Sequence, residues 1–241
     1  MPRSTGTVLV SSALLSVLSL GASACSSDSG SVDKPPVGVP ASSAPVSSAP
    51  VAKTLSAAEL KGALLTAKDL PTGYTARAPE SVGDLRGQIV TVTPAVCWPI
   101  PEAIFGGRGK SAIFQNYSQT ANPAVVLNLY LAAYESGDAE KAMDDLKAAI
   151  AACPNFTITG KDGSVGKTGV KSLTSAPLGD DAVMFEFTPA GGEVYRIVPI
   201  RVGATLATFV TLDGTNVDQG VEFPQPLLAL QLEKLKTAAT G

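Results

Sequence analysis

The sequence predicts an α+β fold, in which an antiparallel β-sheet carries helices packed on one face, as a single domain behind a disordered stalk. Three observations support this prediction. A long amphipathic helical pattern covers residues 137–153, and β-rich runs on both sides of it are joined by short turns. Helical and strand patterns are also segregated along the chain rather than strictly alternating, which is typical of α+β domains.

The composition excludes several classes of function. The 241 residues carry a net charge of -3, so the chain has no basic field to attract nucleic acid. The chain contains no histidine, which removes Ser-His-Asp and Cys-His catalytic arrangements and most zinc sites. We therefore assign no catalytic residue, no metal ligand and no cofactor, and we predict that the protein is not an enzyme.

Residues 1–24 have the form of a secretory signal peptide, in which Arg3 precedes an apolar run that ends in Ala22-Ser23-Ala24-Cys25. These last four residues resemble a bacterial lipobox, whose cysteine becomes the new N-terminus and receives diacylglycerol and palmitate. We predict that Cys25 anchors the protein in the cell membrane, facing the extracellular or periplasmic side. The same residues also fit an ordinary A-x-A cleavage site, which would release a soluble protein with a free thiol.

Residues 25–54 comprise the lipidated cysteine and a linker rich in Ser, Pro and Ala. The pentapeptide at residues 42–46 is repeated directly at residues 47–51. Such a segment cannot bury enough apolar surface to offset the entropy of ordering it, and its prolines keep it extended. We predict a disordered stalk that ends where the folded domain, residues 55–241, begins.

The first elements of the domain are a helix and a strand. Ser56 and Glu59 form an S-x-x-E capping box, which predicts a short helix to about residue 65. A strand at residues 88–93 and a brief helical turn at 99–105 follow. Two further runs, at 111–119 and 124–134, are separated by Ala-Asn-Pro and predict a hairpin.

The central helix carries apolar residues at three- and four-residue steps. This stripe consists of Ala139, Ala142, Met143, Leu146, Ala149, Ile150 and Cys153. We expect Asp138 to cap the N-terminus, and Pro154 to end the helix because proline lacks a backbone donor. Cys153 then lies on the buried side of the helix.

The remaining elements are a series of strands and a last helix. Strands are predicted at residues 156–159, 170–173, 183–187, 194–202 and 205–210, the last three as a meander, and a helix at 224–236. The C-terminal helix has Leu228, Leu232 and Leu235 on one stripe, so it is expected to pack on the sheet.

Two motifs suggest a ligand site, and neither fits one. Residues 163–168 end in Gly-Lys-Thr like a nucleotide-binding P-loop, but Lys161 stands where the first glycine is required, so we predict a flexible surface loop. Asp180 and Asp181 supply too few oxygen ligands for a calcium ion. We interpret them as a turn before a strand, with Asp180 accepting hydrogen bonds from nearby backbone N–H groups.

Cys97 and Cys153 remain as an even pair if Cys25 is lipidated. Thiols of exported proteins usually pair, so we predict a disulfide that links the central helix to the segment after the first strand. Two inert buried thiols are the alternative.

Four motifs together carry a family resemblance: Pro94-Ala95-Val96-Cys97, the helix that ends at Cys153 before Phe156, Leu178-Gly179-Asp180-Asp181-Ala182, and Arg201-Val202-Gly203 before a C-terminal helix. The chain resembles, over about residues 56–239, the extracellular sensor domain of mycobacterial PknH-type receptor kinases and the stand-alone actinobacterial lipoproteins of similar form. This resemblance implies a sheet with helices packed on it around a cleft that binds an extracellular ligand.

The functional hypothesis is therefore an exported, membrane-anchored, non-catalytic lipoprotein whose sensor-like domain binds a small-molecule or cell-envelope ligand. The alternative is a cell-envelope module that binds a protein or polysaccharide through its sheet. No ligand residue is assigned, although Val126, Asn128, Tyr130, Tyr195 and Arg196 illustrate the mixed polar and aromatic face that such a cleft would use. A large apolar cavity would favour the first hypothesis, a flat exposed apolar patch the second, and carboxyl groups with raised pKa in a cleft an enzyme.

Overall fold

The computed structural model describes residues 52–82 and 87–241. The predicted signal peptide at residues 1–24 and the lipidated Cys25 lie outside the described residues, as does the linker up to residue 51. Within the described ranges, no helix combines the length and hydrophobicity that a membrane span requires.

The described residues form four α-helices and eleven β-strands. The helices are α1 (Ala57–Ala63), α2 (Pro99–Ile104), α3 (Asp138–Ala152) and α4 (Gln225–Thr240), and a short 3-10 helix covers Ala95–Cys97. The strands are β1 (Tyr74–Ala76), β2 (Glu80–Ser81), β3 (Ile89–Thr93), β4 (Ser111–Gln119), β5 (Val125–Ala133), β6 (Asn155–Gly160), β7 (Val165–Leu173), β8 (Asp181–Ala182), β9 (Met184–Thr188), β10 (Tyr195–Val202) and β11 (Thr205–Asp213).

All strands belong to one antiparallel sheet with the order β1-β4-β5-β11-β10-β9-β7-β6-β3, and β2 and β8 pair with β4 and β10. The predicted α+β class and the antiparallel sheet are confirmed. Three strands had no counterpart in the sequence analysis, namely β1, β2 and β8. Each is only two or three residues long, which is too short to show an alternating pattern.

The helices cover both faces of the sheet rather than one face. Leu127, Leu129 and Leu131 of β5 pack in one core with α1 and α4. Tyr130 and Ala132, on the opposite face of the same strand, pack in a second core with α2 and α3. Successive strand residues point to opposite faces, so a central strand buried on both sides requires a helical layer on each.

The central helix α3 confirms most of its sequence prediction. Its stripe, including Met143, Leu146 and Cys153, is buried in the second core. Its start differs from the prediction, because Asp138 is the first helical residue and Gly137 is the cap, with a φ of 86°. Glycine reaches this left-handed conformation without the steric penalty that a side chain would bring.

Both ends of the domain meet at one end of the central strands, beside the turn between β10 and β11. A Cβ placed on Gly203 in this turn would lie 3.6 Å from Ala52 and 3.9 Å from Ala239. The Ser111 hydroxyl, at the same end of the sheet, donates to the carbonyl oxygen of Leu55 at 3.0 Å. The chain therefore enters and leaves the domain at the β10–β11 end.

Candidate functional site

A cleft of about 610 Å³ lies on the face of the sheet that also carries α2 and α3. Its floor is a row of residues that the strand register places side by side: Asn128 of β5, Val210 of β11 and Ile197 of β10. Ile104 and Phe105, at the end of α2, form one wall. Ligand sites in proteins commonly enclose about 300–1,000 Å³, so the cleft has the size of a small-molecule site.

The opposite wall comes from the β6–β7 hairpin and the turn between β9 and β10. Gly160 and Gly166 belong to this wall, as do Pro189 and Ala190 in the neighbouring turn. A Cβ on Gly166 would lie 3.4 Å from the Cβ of Ala190. Because glycine has no side chain, the two segments can lie close together and the space beside them stays open.

The structure of this wall differs from the flexible surface loop predicted at residues 163–168. The Gly-Lys-Thr run, Gly166 to Thr168, lies on strand β7 rather than in a surface loop, and no helix follows it. The run therefore cannot form a phosphate-binding loop, because that loop depends on the N–H groups at the start of a helix. Gly166 was visible in the sequence, but only the structure shows that it lines a cleft.

Two tyrosines stand in the cleft beside the floor. Tyr130 is 6% exposed and packs against Phe114, with ring centroids 4.8 Å apart, and in a T-shaped arrangement with Phe105. Burial raises the pKa of Tyr130 to about 12, and it also raises the pKa of Tyr195. Both hydroxyls therefore stay protonated at neutral pH and act as neutral hydrogen-bond donors.

Three of the five residues that illustrated a ligand face in the sequence line the cleft, namely Asn128, Tyr130 and Tyr195. Val126 is not among the lining residues. Arg196 lies on the other face of the sheet, where it forms an ion pair with Glu186 at 3.2 Å. Adjacent strand residues alternate between faces, so Tyr195 and Arg196 could not both face the cleft.

The predicted disulfide between Cys97 and Cys153 is confirmed. The two cysteines are buried, 56 residues apart in sequence, with Cα atoms 5.9 Å apart. The bridge joins the 3-10 helix after β3 to the C-terminal end of α3. It lies in the second core and does not line the cleft, so it supports the walls without contributing a reactive group.

Two of the motifs behind the predicted resemblance contact each other in the structure. The Asp180 carboxylate accepts a hydrogen bond of 2.6 Å from the Gly203 N–H and one of 3.3 Å from the Arg201 guanidinium. Gly179 has a φ of 60°, and a Cβ there would lie 2.4 Å from the Arg201 carbonyl oxygen. Asp180 therefore accepts a hydrogen bond from a backbone N–H, but the donor lies 23 residues away in the β10–β11 turn and not in the turn of Asp180 itself as predicted.

No protein-family model matches the sequence, and no curated protein matches it significantly. Among solved structures, the extracellular domain of PknH from Mycobacterium tuberculosis is similar, with a TM-score of 0.52 and 13% sequence identity over 78% of this chain and 99% of that chain. The two domains share a fold. An uncharacterized protein from Mycobacterium smegmatis, an ortholog of Rv0999, aligns with a TM-score of 0.36 and 11% identity over 80% of this chain and 99% of its own.

The resemblance to the PknH extracellular domain that the sequence motifs predicted is confirmed at the level of the fold. At 13% identity most side chains differ between the two domains. The chemistry of the cleft therefore has to be derived from the residues of this chain.

Proposed function

We propose that the protein is an exported lipoprotein, anchored to the cell membrane through Cys25, whose domain binds an extracellular small molecule in the cleft without catalysing a reaction. The observation that carries the proposal is the cleft itself. It combines a volume of about 610 Å³ with apolar walls and a few polar groups on the floor. This combination is characteristic of ligand sites.

The state of the carboxyl groups supports binding rather than catalysis. The pKa of Glu59 is lowered to about 2, first by a hydrogen bond from the Ser56 backbone N–H, and the pKa of Asp69 is lowered first by Lys234. Every carboxyl group with a shifted pKa in residues 52–82 and 87–241 is shifted downward. A general acid working near neutral pH would need the opposite shift.

The distribution of exposed apolar residues favours the cleft over a docking patch. The large apolar side chains exposed in the described part of the chain are Val90, Val96, Val165, Val217 and Leu230. They are single residues on five different segments. A cell-envelope module that binds a partner through its sheet would instead present a contiguous apolar area.

The test is native mass spectrometry of the protein purified from the membranes of its own host. We expect the wild-type protein to carry a small molecule as a discrete added mass. Ala190→Trp should lose this mass, because Ala190 is an exposed residue on the cleft rim and an indole there would fill the opening. The exposed position also lets the variant fold.

The matched control is Ala148→Trp, which places the same side chain on the exposed face of α3, away from the cleft lining. This variant should retain the added mass. A wild-type protein without any bound molecule, or equal occupancy in the two tryptophan variants, would contradict the proposed ligand site.

A further inference from the structure

The lining of the cleft is uncharged. Among the described residues that line it there is no Asp, Glu, Lys or Arg. The apolar part of the lining includes Ile89, Ile158 and Val165, one from each of the three strands β3, β6 and β7. An ionised ligand group would therefore lose its hydration in the cleft without gaining a counter-charge, which is strongly unfavourable.

The polar groups on the floor are hydrogen-bond donors. The side-chain oxygen of Asn128 already accepts a hydrogen bond of 2.8 Å from the Asn116 amide, which leaves the Asn128 amide N–H groups for a ligand. The hydroxyls of Tyr130 and Tyr195 have no protein acceptor in the described part of the chain, and they are close enough to influence each other electrostatically. Asn128, Tyr130 and Tyr195 thus offer neutral donors at and beside the floor, and the other polar lining residues, Gln88, Ser164 and Thr168, are neutral as well.

We propose that the cleft binds a neutral amphipathic molecule, an acyl ester or a compound of similar form in which an apolar chain carries an uncharged carbonyl oxygen. This proposal rests on the proposed function and names its ligand class. The carbonyl oxygen accepts hydrogen bonds from the Tyr130 and Tyr195 hydroxyls, beside the Asn128 amide. The apolar chain lies along the wall formed by β3, β6 and β7, where each buried methylene removes apolar surface from water and strengthens binding.

The surroundings of the rim disfavour an anionic ligand as well. The charge of Glu193 is a second cause, after burial, of the raised pKa of Tyr195. Glu193 also lies beside Gly191 in the turn that forms the rim. A carboxylate or phosphate entering beside Tyr195 would be repelled by this side chain.

The experiment compares two probes that differ only in charge, dansylaminoundecanoic acid and its methyl ester, by fluorescence titration near neutral pH. The protein is the full mature chain with Cys25→Ala, which needs no detergent. We expect the ester to bind at least about tenfold more tightly than the ionised acid, because only the acid must bury a charge. An uncharged naphthylamine dye without a carbonyl group serves as a third, purely apolar probe.

Three tyrosine variants test the contact with the carbonyl oxygen. Tyr130→Phe and Tyr195→Phe should each weaken ester binding about three- to tenfold, the usual effect of losing one hydrogen bond, and leave dye binding unchanged. Tyr74→Phe, on β1 and packed against the other core, is the matched control and should change neither.

The outcomes separate this inference from the proposed function. If the dye binds and is blocked by Ala190→Trp, but the acid binds as tightly as the ester or both cleft phenylalanine variants retain full ester affinity, the ligand class is overturned and the ligand site stands. If the wild-type chain binds none of the three probes, both proposals fail.

Discussion

Gln231 shows how a single buried polar side chain holds the two ends of the domain together. It is 1% exposed on α4, its amide nitrogen donates to the Ala63 carbonyl oxygen at 2.7 Å, and its oxygen accepts from the Leu65 N–H at 3.2 Å. The same oxygen is 3.2 Å from the Tyr117 hydroxyl, which donates its one proton to the nearer Gln115 oxygen at 2.8 Å. These contacts satisfy the backbone where α1 ends, inside an apolar core.

Replacing Gln231 with Met should therefore destabilise the domain although the side-chain volume is preserved. The change leaves the Leu65 N–H and the Ala63 carbonyl group buried without partners, each at a cost of about 1–3 kcal/mol, so we expect a loss of about 2–6 kcal/mol in the free energy of unfolding. Urea unfolding measures this loss. Gln225→Met, at the exposed start of the same helix, is the control and should change stability by less than about 0.5 kcal/mol. Equal effects of the two substitutions would show that the network contributes no stability.

At the residue scale, contacts between neighbours in the sequence could be predicted, whereas contacts between distant residues could not. The capping box at Ser56 and Glu59 is local, so its two reciprocal hydrogen bonds could be predicted from four consecutive residues. The contacts of Gln231 span 166 and 168 residues, and no local pattern encodes them. The cleft tyrosines could be named as an aromatic face, but choosing Tyr195 over Arg196 required the register of β10.

At the scale of elements, the disulfide joins the segment after β3 to the last turn of α3 and so holds the edge of the sheet to the helix. Both cysteines are buried in the second core. Closing a loop with a sequence separation of 56 restricts the unfolded chain, which corresponds to about 4 kcal/mol on the chain-entropy model.

Reduction should therefore lower the urea midpoint of the wild-type domain markedly, with a loss of about 4 kcal/mol in the free energy of unfolding. The double variant Cys97→Ala/Cys153→Ala should start at the lower stability and show no response to reductant. A wild-type midpoint that does not move on complete reduction, verified by thiol titration, would be evidence against a stabilising role for the bridge.

Long helices and strands could be predicted from the sequence more readily than short ones. The stripe of α3 spans four turns, and the hairpin of β4 and β5 has nine residues on each side, so their periodicities are unambiguous. The side on which each helix packs was not predictable in the same way. Tyr130 and Ala132 lie on the face of β5 that the predicted one-sided helical layer leaves open, and the second helical layer, α2 and α3, covers them.

At the scale of the whole molecule, the proposed anchor at Cys25 can be tested without knowing the ligand. Cys25→Ala should leave the chain unlipidated, so in a detergent partition of labelled cells it should move from the membrane phase to the aqueous phase. The wild-type protein should remain in the membrane phase, and Ser26→Ala is a control that keeps the cysteine. A wild-type protein already in the aqueous phase, with Cys25 as its N-terminus and no added mass, would indicate ordinary signal-peptide cleavage.

The two ends of the domain lie together at the β10–β11 turn, and this position determines where a tether joins the domain relative to the cleft. Strand β10 runs from Tyr195, in the cleft, to Val202, beside the turn that contacts Ala52. Eight extended residues cover about 25 Å, so the point where residues 26–51 join the domain lies roughly one sheet length from the cleft mouth. If the proposed anchor at Cys25 holds the chain, the tether joins the domain at the end of the sheet away from the cleft, so its point of attachment leaves the cleft mouth open to a ligand.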